Sequence, residues 1–501
     1  MPNFFSIIDN NTEGLIIRIE SSLSKSLPNI IIVGFANKSV DEAKERIRGA
    51  LSSSGIKLPR QRITVNLSPA DIPKEGSYFD LPILLSILLS SKIIDTSDIS
   101  HDFISMGEVG LDGSIRPVRG IIGKILAAKK LGIEHFWIPE QNLGQAELVP
   151  DINILPISSV KEIYRITSTK NPINYIKSKG SKNTLQSVKS DFDIDDVVGQ
   201  DLAKRAMTIV AAGHHNIMLN GPPGTGKSML AKALPSIMPP LTQKEMLEIT
   251  HINSLSDKNY DKLILSRPFR SPHHNASTTS IVGGGQKPKP GEISLAHTGV
   301  LLFDEFPEFN RTVIEALRQP IEDGYITVSR AKDTSKFPAK FILVATSNPC
   351  PCGYYGTHKE CTCSPSQIIN YQKKISGPIL DRIDLYIDVD NVDHKKLINQ
   401  KSTNSSNLLK NKVILARKIQ LNRQNKLNSQ LSNKDLAQFS YIDTPAKEFF
   451  DNASKRLGLS ARAYIRTLRV ARTIADLDES KSINIEHISE ALQYRKRPTQ
   501  F

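Results

Sequence analysis

The octapeptide Gly221–Ser228 constrains the fold of this chain more than any other stretch of its sequence. It reads Gly-Pro-Pro-Gly-Thr-Gly-Lys-Ser, follows the short apolar run 216–219 and precedes the helical pattern 229–237. The spacing G-x-x-x-x-G-K-S between a strand and a helix is typical of a phosphate-binding loop. Glycines there allow backbone N–H groups to face phosphate oxygens, and the helix start adds further unpaired amides. We therefore predict a nucleotide-binding α/β core.

The motif also predicts which residues hold the nucleotide. We expect all eight to surround the phosphates: Gly221, Pro222, Pro223, Gly224, Thr225, Gly226, Lys227 and Ser228. Lys227 is placed to reach the β- and γ-phosphates, and Ser228 to hold Mg²⁺. A glycine-rich turn without a ligand is the alternative, but motif and context both favour a binding site. ATP and Mg²⁺ are the expected cofactors.

Polar residues near the ends of two later apolar runs complete a candidate hydrolytic site. Asp304 and Glu305 follow the run 300–303, and Asn348 comes shortly after the run 341–345. Asp304 would help to hold Mg²⁺ in its water shell, whereas Glu305 would orient and deprotonate the attacking water. Asn348 would hydrogen-bond the γ-phosphate or that water, with a turn cap as the alternative. Together these residues predict an ATPase.

All four cysteines of the chain lie in one short segment, as Cys350, Cys352, Cys361 and Cys363. Two C-x-C pairs at this spacing favour a closed tetrahedral thiolate site for structural zinc. Disulfides are disfavoured in a reducing cytoplasm, and an iron–sulfur cluster is the alternative that four thiolates leave open. The metal would brace the loop that follows Asn348.

Length and charge restrict the remaining possibilities. The chain has 501 residues, too many for one core, and carries a formal net charge of +14. A basic surface suits a polyanion such as nucleic acid, although a lysine-rich genome would produce the same balance. The most apolar stretch, 81–94, is interrupted by Ser86 and Lys92 and predicts a buried helix rather than a membrane span. The N-terminus MPNFFSIIDN has no signal-peptide pattern, so we expect a cytoplasmic protein without a membrane partner.

The pattern of strands, helices and polar stretches divides the chain into four parts. We predict an α+β domain over 1–165, a lysine-rich linker over 166–190, a phosphate-loop ATPase core over 191–390 and a helical C-terminal domain over 391–501. The expected fold class is therefore multidomain α/β.

Two stretches of the first domain, 66–82 and 107–120, resemble the Lon-protease-type fold, also called ribosomal S5-type. By that resemblance, the Ser–Lys dyad of the family falls at Tyr78 and Ile122. A phenol is not an activated serine and isoleucine carries no base, so neither can serve. A shifted dyad of Ser77 and Lys124 is the alternative. We predict a domain that lacks peptidase activity and serves assembly or partner binding.

Several features together resemble the ComM/YifB family of Mg-chelatase-like AAA+ ATPases. They are the Lon-like domain, the phosphate-loop core, the motif NPCPCGYYG at 348–356 with its second C-x-C pair, and SGPILDRIDL at 376–385. The resemblance implies a homo-hexameric AAA+ ring that hydrolyses ATP and acts on DNA. It further implies branch migration or helicase activity in recombination or natural transformation. A chelatase-like or protein-remodelling motor that does not act on DNA is the alternative.

The resemblance also implies roles for arginines outside the phosphate loop. Arg382 would project into the nucleotide site of the neighbouring subunit, and a surface pair with Asp384 is the alternative. Arg462, near the start of the helical pattern 460–476, would read the γ-phosphate in the C-terminal lid. Arg466 is the second candidate for that role.

Two insertions complete the expected motor. The segment 269–285 contains His273 and His274, for which we favour structural or nucleotide-edge roles over metal binding, because no cysteine or acidic partner is near in the sequence. The alternating segment 325–341 predicts a hairpin. By resemblance, Arg330 and Lys332 near its tip would bind DNA phosphates without sequence preference, and a solvated tip is the alternative.

Overall fold

We describe the protein from a computed structural model. It covers residues 4–9, 14–95, 101–168, 173–179, 192–256, 263–285, 288–329, 334–390 and 405–495. The chain folds into two compact units. The first comprises Met1–Thr184 and Thr242–Leu265, and the second comprises Leu185–Leu241 and Ser266–Phe501.

The first unit mixes strands and helices. In chain order its elements are β1 Phe4–Asp9, β2 Gly14–Ser24, β3 Asn29–Val33, α1 Lys38–Asp41, α2 Ala43–Ser53, β4 Arg62–Ser68, α3 Asp80–Ser90, β5 Phe103–Ser105, β6 Glu108–Val109, β7 Ile115–Arg116, α4 Ile121–Lys130, β8 His135–Pro139, α5 Leu143–Ala146, β9 Asn153–Ile157, α6 Val160–Ser168 and β10 Ile176–Lys177.

Eight of these strands form one mixed sheet in the order β10-β9-β8-β5-β1-β2-β4-β3. Alternation decides which face of each strand is buried: in β4, Ile63, Val65 and Leu67 are buried while their neighbours are partly exposed. Helix α3 is apolar along nearly its whole length and is buried, as the sequence predicts. No helix in the described part of the chain has both the length and the apolar composition needed to cross a bilayer.

Part of the stretch expected to be a linker belongs to this sheet. Ile176 and Lys177 pair antiparallel with β9. The next residue, Ser178, is buried, and its hydroxyl donates hydrogen bonds to the carbonyl oxygens of Glu147 and Val149 at 2.8 and 2.6 Å. Backbone pairing with β9 thus extends the first unit beyond α6, a long-range contact that local composition does not reveal.

The remaining elements follow the first unit in the sequence. They are α7 Asp201–Gly213, β11 Ile217–Asn220, α8 Lys227–Ile237, α9 Gln243–Ser256, β12 Phe269–Arg270, α10 Thr278–Val282, β13 Gly283–Gly284, β14 Lys289–Pro290, α11 Glu292–Leu295, β15 Val300–Phe303, α12 Arg311–Ala316, α13 Arg318–Asp323, β16 Tyr325–Ser329, β17 Thr334–Pro338, β18 Ile342–Ser347, α14 Pro365–Lys373, α15 Gly377–Leu380, β19 Leu385–Asp388, α16 Ser405–Gln424, α17 Asn433–Phe439, α18 Thr444–Arg456, α19 Ala461–Leu477 and α20 Ile485–Gln493.

A five-stranded parallel sheet in the order β12-β15-β18-β11-β19 is the centre of the second unit. The three inner strands β11, β15 and β18 are apolar and buried along nearly their whole length, as is typical of a parallel sheet whose two faces are both covered. β18 lies between β11 and β15, with Asn220 opposite Ser347 and Phe303 opposite Ala345. The loops that follow these three strands therefore emerge at one edge, where open parallel sheets bind ligands.

Helix α9 belongs to the first unit although it follows the phosphate-loop helix α8 in the sequence. Its buried apolar residues include Met246, Ile249 and Ile252, and it packs against α4. The chain thus leaves the second unit after Leu241 and returns at Ser266. The first unit is consequently built from two separate stretches of sequence.

The described part of the C-terminal region, 405–495, is helical. Helix α19 begins after Ser460, whose hydroxyl accepts a hydrogen bond from the backbone N–H of Ala463 as an N-cap. Helix α19 coincides with the helical pattern 460–476 of the sequence. Apolar residues of α16, α18, α19 and α20 join the same core as the parallel sheet.

Candidate nucleotide site and cysteine centre

The phosphate loop connects β11 to α8 and begins the helix at Lys227. Gly226 precedes the helix with a φ of 87°, which favours glycine because a β-carbon is strained there. The Lys227 ammonium donates hydrogen bonds to the carbonyl oxygens of Gly221 at 2.6 Å and Pro222 at 2.7 Å, and to Oδ1 of Asn348 at 3.3 Å. These contacts hold the amine within the loop, beside the residue that the sequence predicts as its neighbour.

Charge and burial act in opposite directions on this lysine. Burial lowers the pKa of Lys227, whereas the carboxylates of Asp304 and Glu305 raise it. A partly desolvated ammonium attracts an anionic phosphate more strongly than an exposed one, because less water screens the charge. The loop is therefore suited electrostatically to a phosphate ligand.

A chain of hydrogen bonds fixes the two carboxylates that follow β15. Ser228 Oγ donates to Asp304 Oδ2 at 2.9 Å, and Thr346 Oγ1 donates to Asp304 Oδ1 at 2.6 Å. The Thr346 hydroxyl also accepts a hydrogen bond from the backbone N–H of Glu305 at 2.9 Å. Ser228 and Asp304, the residues predicted to hold Mg²⁺, thus lie together. Thr346 was not predicted, although a threonine at the end of an apolar strand beside Asn348 is the signal for it.

Glu305 has a strained backbone and an open side chain. Its φ is 54°, in the left-handed region that non-glycine residues rarely adopt, and its side chain is 53% exposed. His274 Nδ1 lies 4.0 Å from Glu305 Oε2, and the His274 ring packs on His273 with centroids 4.2 Å apart. The segment 269–285 thus brings a histidine next to the carboxylate that is predicted to activate water. The left-handed backbone of Glu305 agrees with this role, because backbone strain of this kind is common at functional sites.

The four cysteines form one cluster after β18. Sγ of Cys350 lies 3.3 Å from that of Cys352 and 3.7 Å from that of Cys361, and the Cys352–Cys361 pair is 3.5 Å apart. All four sulfurs, including Cys363, lie within 4.8 Å of one another. Backbone N–H groups of Tyr355 and Cys352 donate to Sγ of Cys350 and Cys363 at 3.3 and 3.4 Å.

This geometry fits a single tetrahedral metal ion. Thiolates bound at about 2.3 Å in a tetrahedron lie about 3.8 Å apart, close to the sulfur separations above. A cluster of several irons would hold its thiolates further apart, since different irons bind them. N–H groups directed at the sulfurs stabilise thiolates, the form that binds metal. The four-cysteine cluster is thus capable of holding a metal ion.

The loop that carries the cysteines also contacts the phosphate loop. A β-carbon placed on Gly353 would come 2.6 Å from Cδ of Pro223 and 3.9 Å from Cγ of Asn348. On the other side, Gln372 donates a hydrogen bond to the Pro349 carbonyl oxygen at 3.3 Å. Tyr371 is buried beside the backbone of Asn348, and burial raises its pKa to about 12. Asn348 is therefore enclosed by the cysteine loop and α14.

Arg382 has partners within its own subunit. The side chain is 10% exposed, its Nη2 lies 2.5 Å from Oε1 of Glu322, and its Nη1 donates to the Pro378 carbonyl oxygen at 2.6 Å. Asp384, the alternative partner in the sequence, instead binds Arg466, with Nη1 2.5 Å from Oδ1. Arg462 is exposed in the first turn of α19. Glu322 and the Asp384–Arg466 pair were not predicted, because no local pattern joins residues so far apart.

Comparisons with known proteins point to the same family in three successive parts of the chain. The family model for magnesium chelatase, subunit ChlI, matches residues 193–397. The model for subunit ChlI of Mg-chelatase matches 19–142, and the model for the C-terminal region of that subunit matches 403–495. Competence protein ComM of Haemophilus influenzae is 43% identical over 96% of this chain and 94% of its own length. The chain belongs to the ComM/YifB family of Mg-chelatase-like AAA+ ATPases.

A second relative, the uncharacterized protein YifB of Escherichia coli, is 40% identical over 96% of this chain and 94% of its own length. Lon protease of Brucella suis is 27% identical over 143 residues, 27% of this chain. The similarity to Lon protease supports the expected Lon-like fold in the N-terminal part of this ComM/YifB-family protein.

The first unit has other side chains where the dyad is expected. Tyr78 stacks on Phe79 with ring centroids 4.4 Å apart, and Ile122 is buried. The hydroxyl of Ser77 donates to Glu108, while Lys124 Nζ lies over the Tyr78 ring, 4.8 Å from its centroid. Ser77 is thus hydrogen-bonded to a carboxylate, and Lys124 is placed against an aromatic face.

The hairpin predicted for residues 325–341 is present in this protein. β16 and β17 pair antiparallel from Tyr325 opposite Pro338 to Ser329 opposite Thr334. Lys336 Nζ lies 3.3 Å from the centroid of the Tyr325 ring. The predicted DNA-binding residues Arg330 and Lys332 lie outside the described residues.

Proposed function

We propose that this protein is an ATP-hydrolysing AAA+ ring motor that acts on DNA, with branch migration or helicase activity in recombination or natural transformation. The observation that carries the proposal is the cluster in which Ser228 and Asp304 are hydrogen-bonded beside Lys227 and Glu305. A competence protein among its relatives and the net charge of +14 support DNA as the substrate.

Each residue of the cluster has a separate part in hydrolysis. Lys227 and the loop amides bind the phosphates of ATP, while Ser228 and Asp304 hold Mg²⁺, which screens the phosphoryl charge when bound. Glu305 orients a water molecule and accepts its proton as the water oxygen attacks the γ-phosphorus, while the bond from that phosphorus to the bridging oxygen of the β-phosphate breaks and ADP leaves. Asn348 hydrogen-bonds the γ-phosphate or that water from the adjacent strand end.

The motor is proposed to work as a homo-hexamer. Arg382 would supply positive charge to the phosphoryl group bound by the next subunit, an arrangement that requires head-to-tail contacts and ring closure. Arg462, exposed on α19, would contact the same nucleotide from the lid. Arg330 and Lys332 would bind the DNA backbone.

We also propose that the four cysteines hold a structural zinc ion. Four thiolates at tetrahedral separations form a closed site without a position for water, which suits structure rather than catalysis. The ion would fix the loop that encloses Asn348, so its effect on hydrolysis is indirect.

The decisive experiment measures ATP turnover without a partner, with forked or Holliday-junction DNA, and with an unfolded protein. We expect branched DNA to stimulate turnover, and Arg330→Ala/Lys332→Ala to lose the stimulation. The matched control, Lys25→Ala/Lys57→Ala, removes two exposed lysines of the first unit and should retain it. Stimulation by the unfolded protein alone would contradict the DNA proposal and favour a remodelling motor.

A further inference from the structure

Arg382 is held in its own subunit by a specific carboxylate. Glu322 Oε1 lies 2.5 Å from Arg382 Nη2, in addition to the hydrogen bond from Nη1 to the Pro378 carbonyl oxygen. The guanidinium is nearly buried, whereas the Glu322 side chain is 47% exposed. The ion pair therefore joins a shielded cation to a carboxylate that reaches it from the surface.

Glu322 lies on α13, the helix that leads directly into the hairpin strand β16. Gln319 on the same helix binds β16 twice: its Nε2 donates to Thr327 Oγ1 at 3.3 Å, and its Oε1 accepts from the Thr327 backbone N–H at 3.2 Å. Gly324 joins the two elements with a φ of 72°. Gln319 thus binds both the hydroxyl and the backbone N–H of Thr327. Because of these two hydrogen bonds, we expect a displacement of β16 to move the helix that carries Glu322.

The pair has a consequence for charge. An arginine that stabilises a phosphoryl group in transfer acts through its positive charge. While Glu322 is bound to it, that charge is cancelled, and a carboxylate brought near the phosphates would repel them. Arg382 must therefore separate from Glu322 before it can act on a nucleotide.

We propose that Glu322 is a positioning residue for Arg382. Glu322 binds the Arg382 guanidinium within the resting subunit and releases it when DNA displaces β16. This inference rests on the proposed function, because it takes Arg382 as the residue that completes the neighbouring site. Because the Glu322 side chain is half exposed, water can replace its carboxylate more easily than it could in a fully buried pair.

The test compares Glu322→Gln with Glu315→Gln, which breaks a similar surface pair between Glu315 and Arg318 at 2.5 Å. Turnover is measured with saturating ATP, with and without forked DNA, and the KM for ATP is determined in both states. We expect Glu322→Gln to raise the DNA-free kcat by about fivefold or more without changing the KM, and to reduce the stimulation by DNA in proportion. Glu315→Gln should behave as the unsubstituted protein.

Two results separate this inference from the function on which it rests. Unchanged DNA-free kcat and unchanged stimulation in Glu322→Gln, with Arg382→Ala inactive, would overturn the role of Glu322 alone. Full activity of Arg382→Ala would overturn the proposed use of Arg382 itself. A second variant, Gln319→Leu, tests the connection to β16: we expect a smaller stimulation by DNA, and an unchanged stimulation contradicts the coupling.

Discussion

Gly353 lies directly against Pro223, so that a β-carbon on Gly353 would be 2.6 Å from Cδ of the proline. The first residue belongs to the cysteine loop and the second to the phosphate loop. The two loops are therefore in van der Waals contact, and the position of one limits the position of the other. Through this contact the cysteine loop is connected to the proposed ATP site, although no sulfur is part of the cluster around Ser228 and Asp304.

Replacement of Gly353 by alanine should impair nucleotide binding. The added methyl group displaces Pro223, and the φ of 85° at this position adds backbone strain of about 1–3 kcal/mol. Gly356→Ala is the matched control, since Gly356 has a φ of 75° but no atom within 4 Å of its β-carbon position. We expect both variants to lose stability, and only Gly353→Ala to raise the KM for ATP. An equal KM in the two variants would show that the contact is irrelevant to binding.

Removal of the metal should separate ATP binding from hydrolysis. We expect metal analysis to find about one zinc per chain. Cys352→Ser should lose the metal and lower kcat, because the loop around Asn348 loosens while the phosphate loop keeps Lys227. Thr362→Ala, an exposed change between two cysteines, is the control. Iron in place of zinc, or normal kcat in metal-free protein, contradicts the proposed centre.

Thr346 should govern the use of Mg²⁺. Thr346→Val removes the hydroxyl that binds both Asp304 and the backbone N–H of Glu305, and leaving such groups unpaired costs about 1–3 kcal/mol. We expect a higher Mg²⁺ concentration to be required for half-maximal turnover. Thr346→Ser keeps the hydroxyl and should be close to normal. The prediction is wrong if valine and serine give the same Mg²⁺ dependence.

Local patterns predicted much of this site, since neighbouring residues determine them. The phosphate loop lies between a strand and a helix, Asp304 follows an apolar strand, and the hairpin alternates as the sequence indicates. Pairings between distant residues were not predictable. A buried charge is stabilised by whichever opposite charge the fold brings near it. No local sequence pattern therefore distinguishes Glu322 from Asp384 as the partner of Arg382. Assignment of α9 to the first unit depends likewise on long-range packing.

Deletion of residues 1–184 should yield a chain that self-associates. The truncated chain keeps α9 but loses the rest of the first unit, so the buried residues Met246, Ile249 and Ile252 become exposed. We expect self-association in light scattering and binding of a hydrophobic dye. Replacement of these three residues by glutamine in the truncated chain should reduce both. A monodisperse truncated chain without these replacements would contradict the division into units.

The buried pair of Asp384 and Arg466 should make the stability of a variant depend on pH. Burial acts to raise the pKa of Asp384, but Arg466, His215 and the backbone N–H of Asn216 outweigh it and hold the pKa well below its ordinary value. With a depressed pKa, the stabilisation is present above the unfolded-state pKa of about 4 and is lost only in stronger acid. The unsubstituted protein should therefore lose no stability from Asp384 between pH 7 and pH 5.

Arg466→Met reverses that behaviour. It leaves a buried carboxylate without its main partner, which should destabilise the second unit by about 3–5 kcal/mol at pH 7. Burial then dominates and raises the pKa of Asp384, so the folded state takes up a proton as the pH falls and part of the loss is recovered at pH 5. Urea denaturation at both pH values measures this, with the exposed Arg462→Ala as control and Asp384→Asn/Arg466→Met as the neutral pair. Equal destabilisation of Arg466→Met at pH 7 and pH 5 would show that an unpaired carboxylate is not its cause.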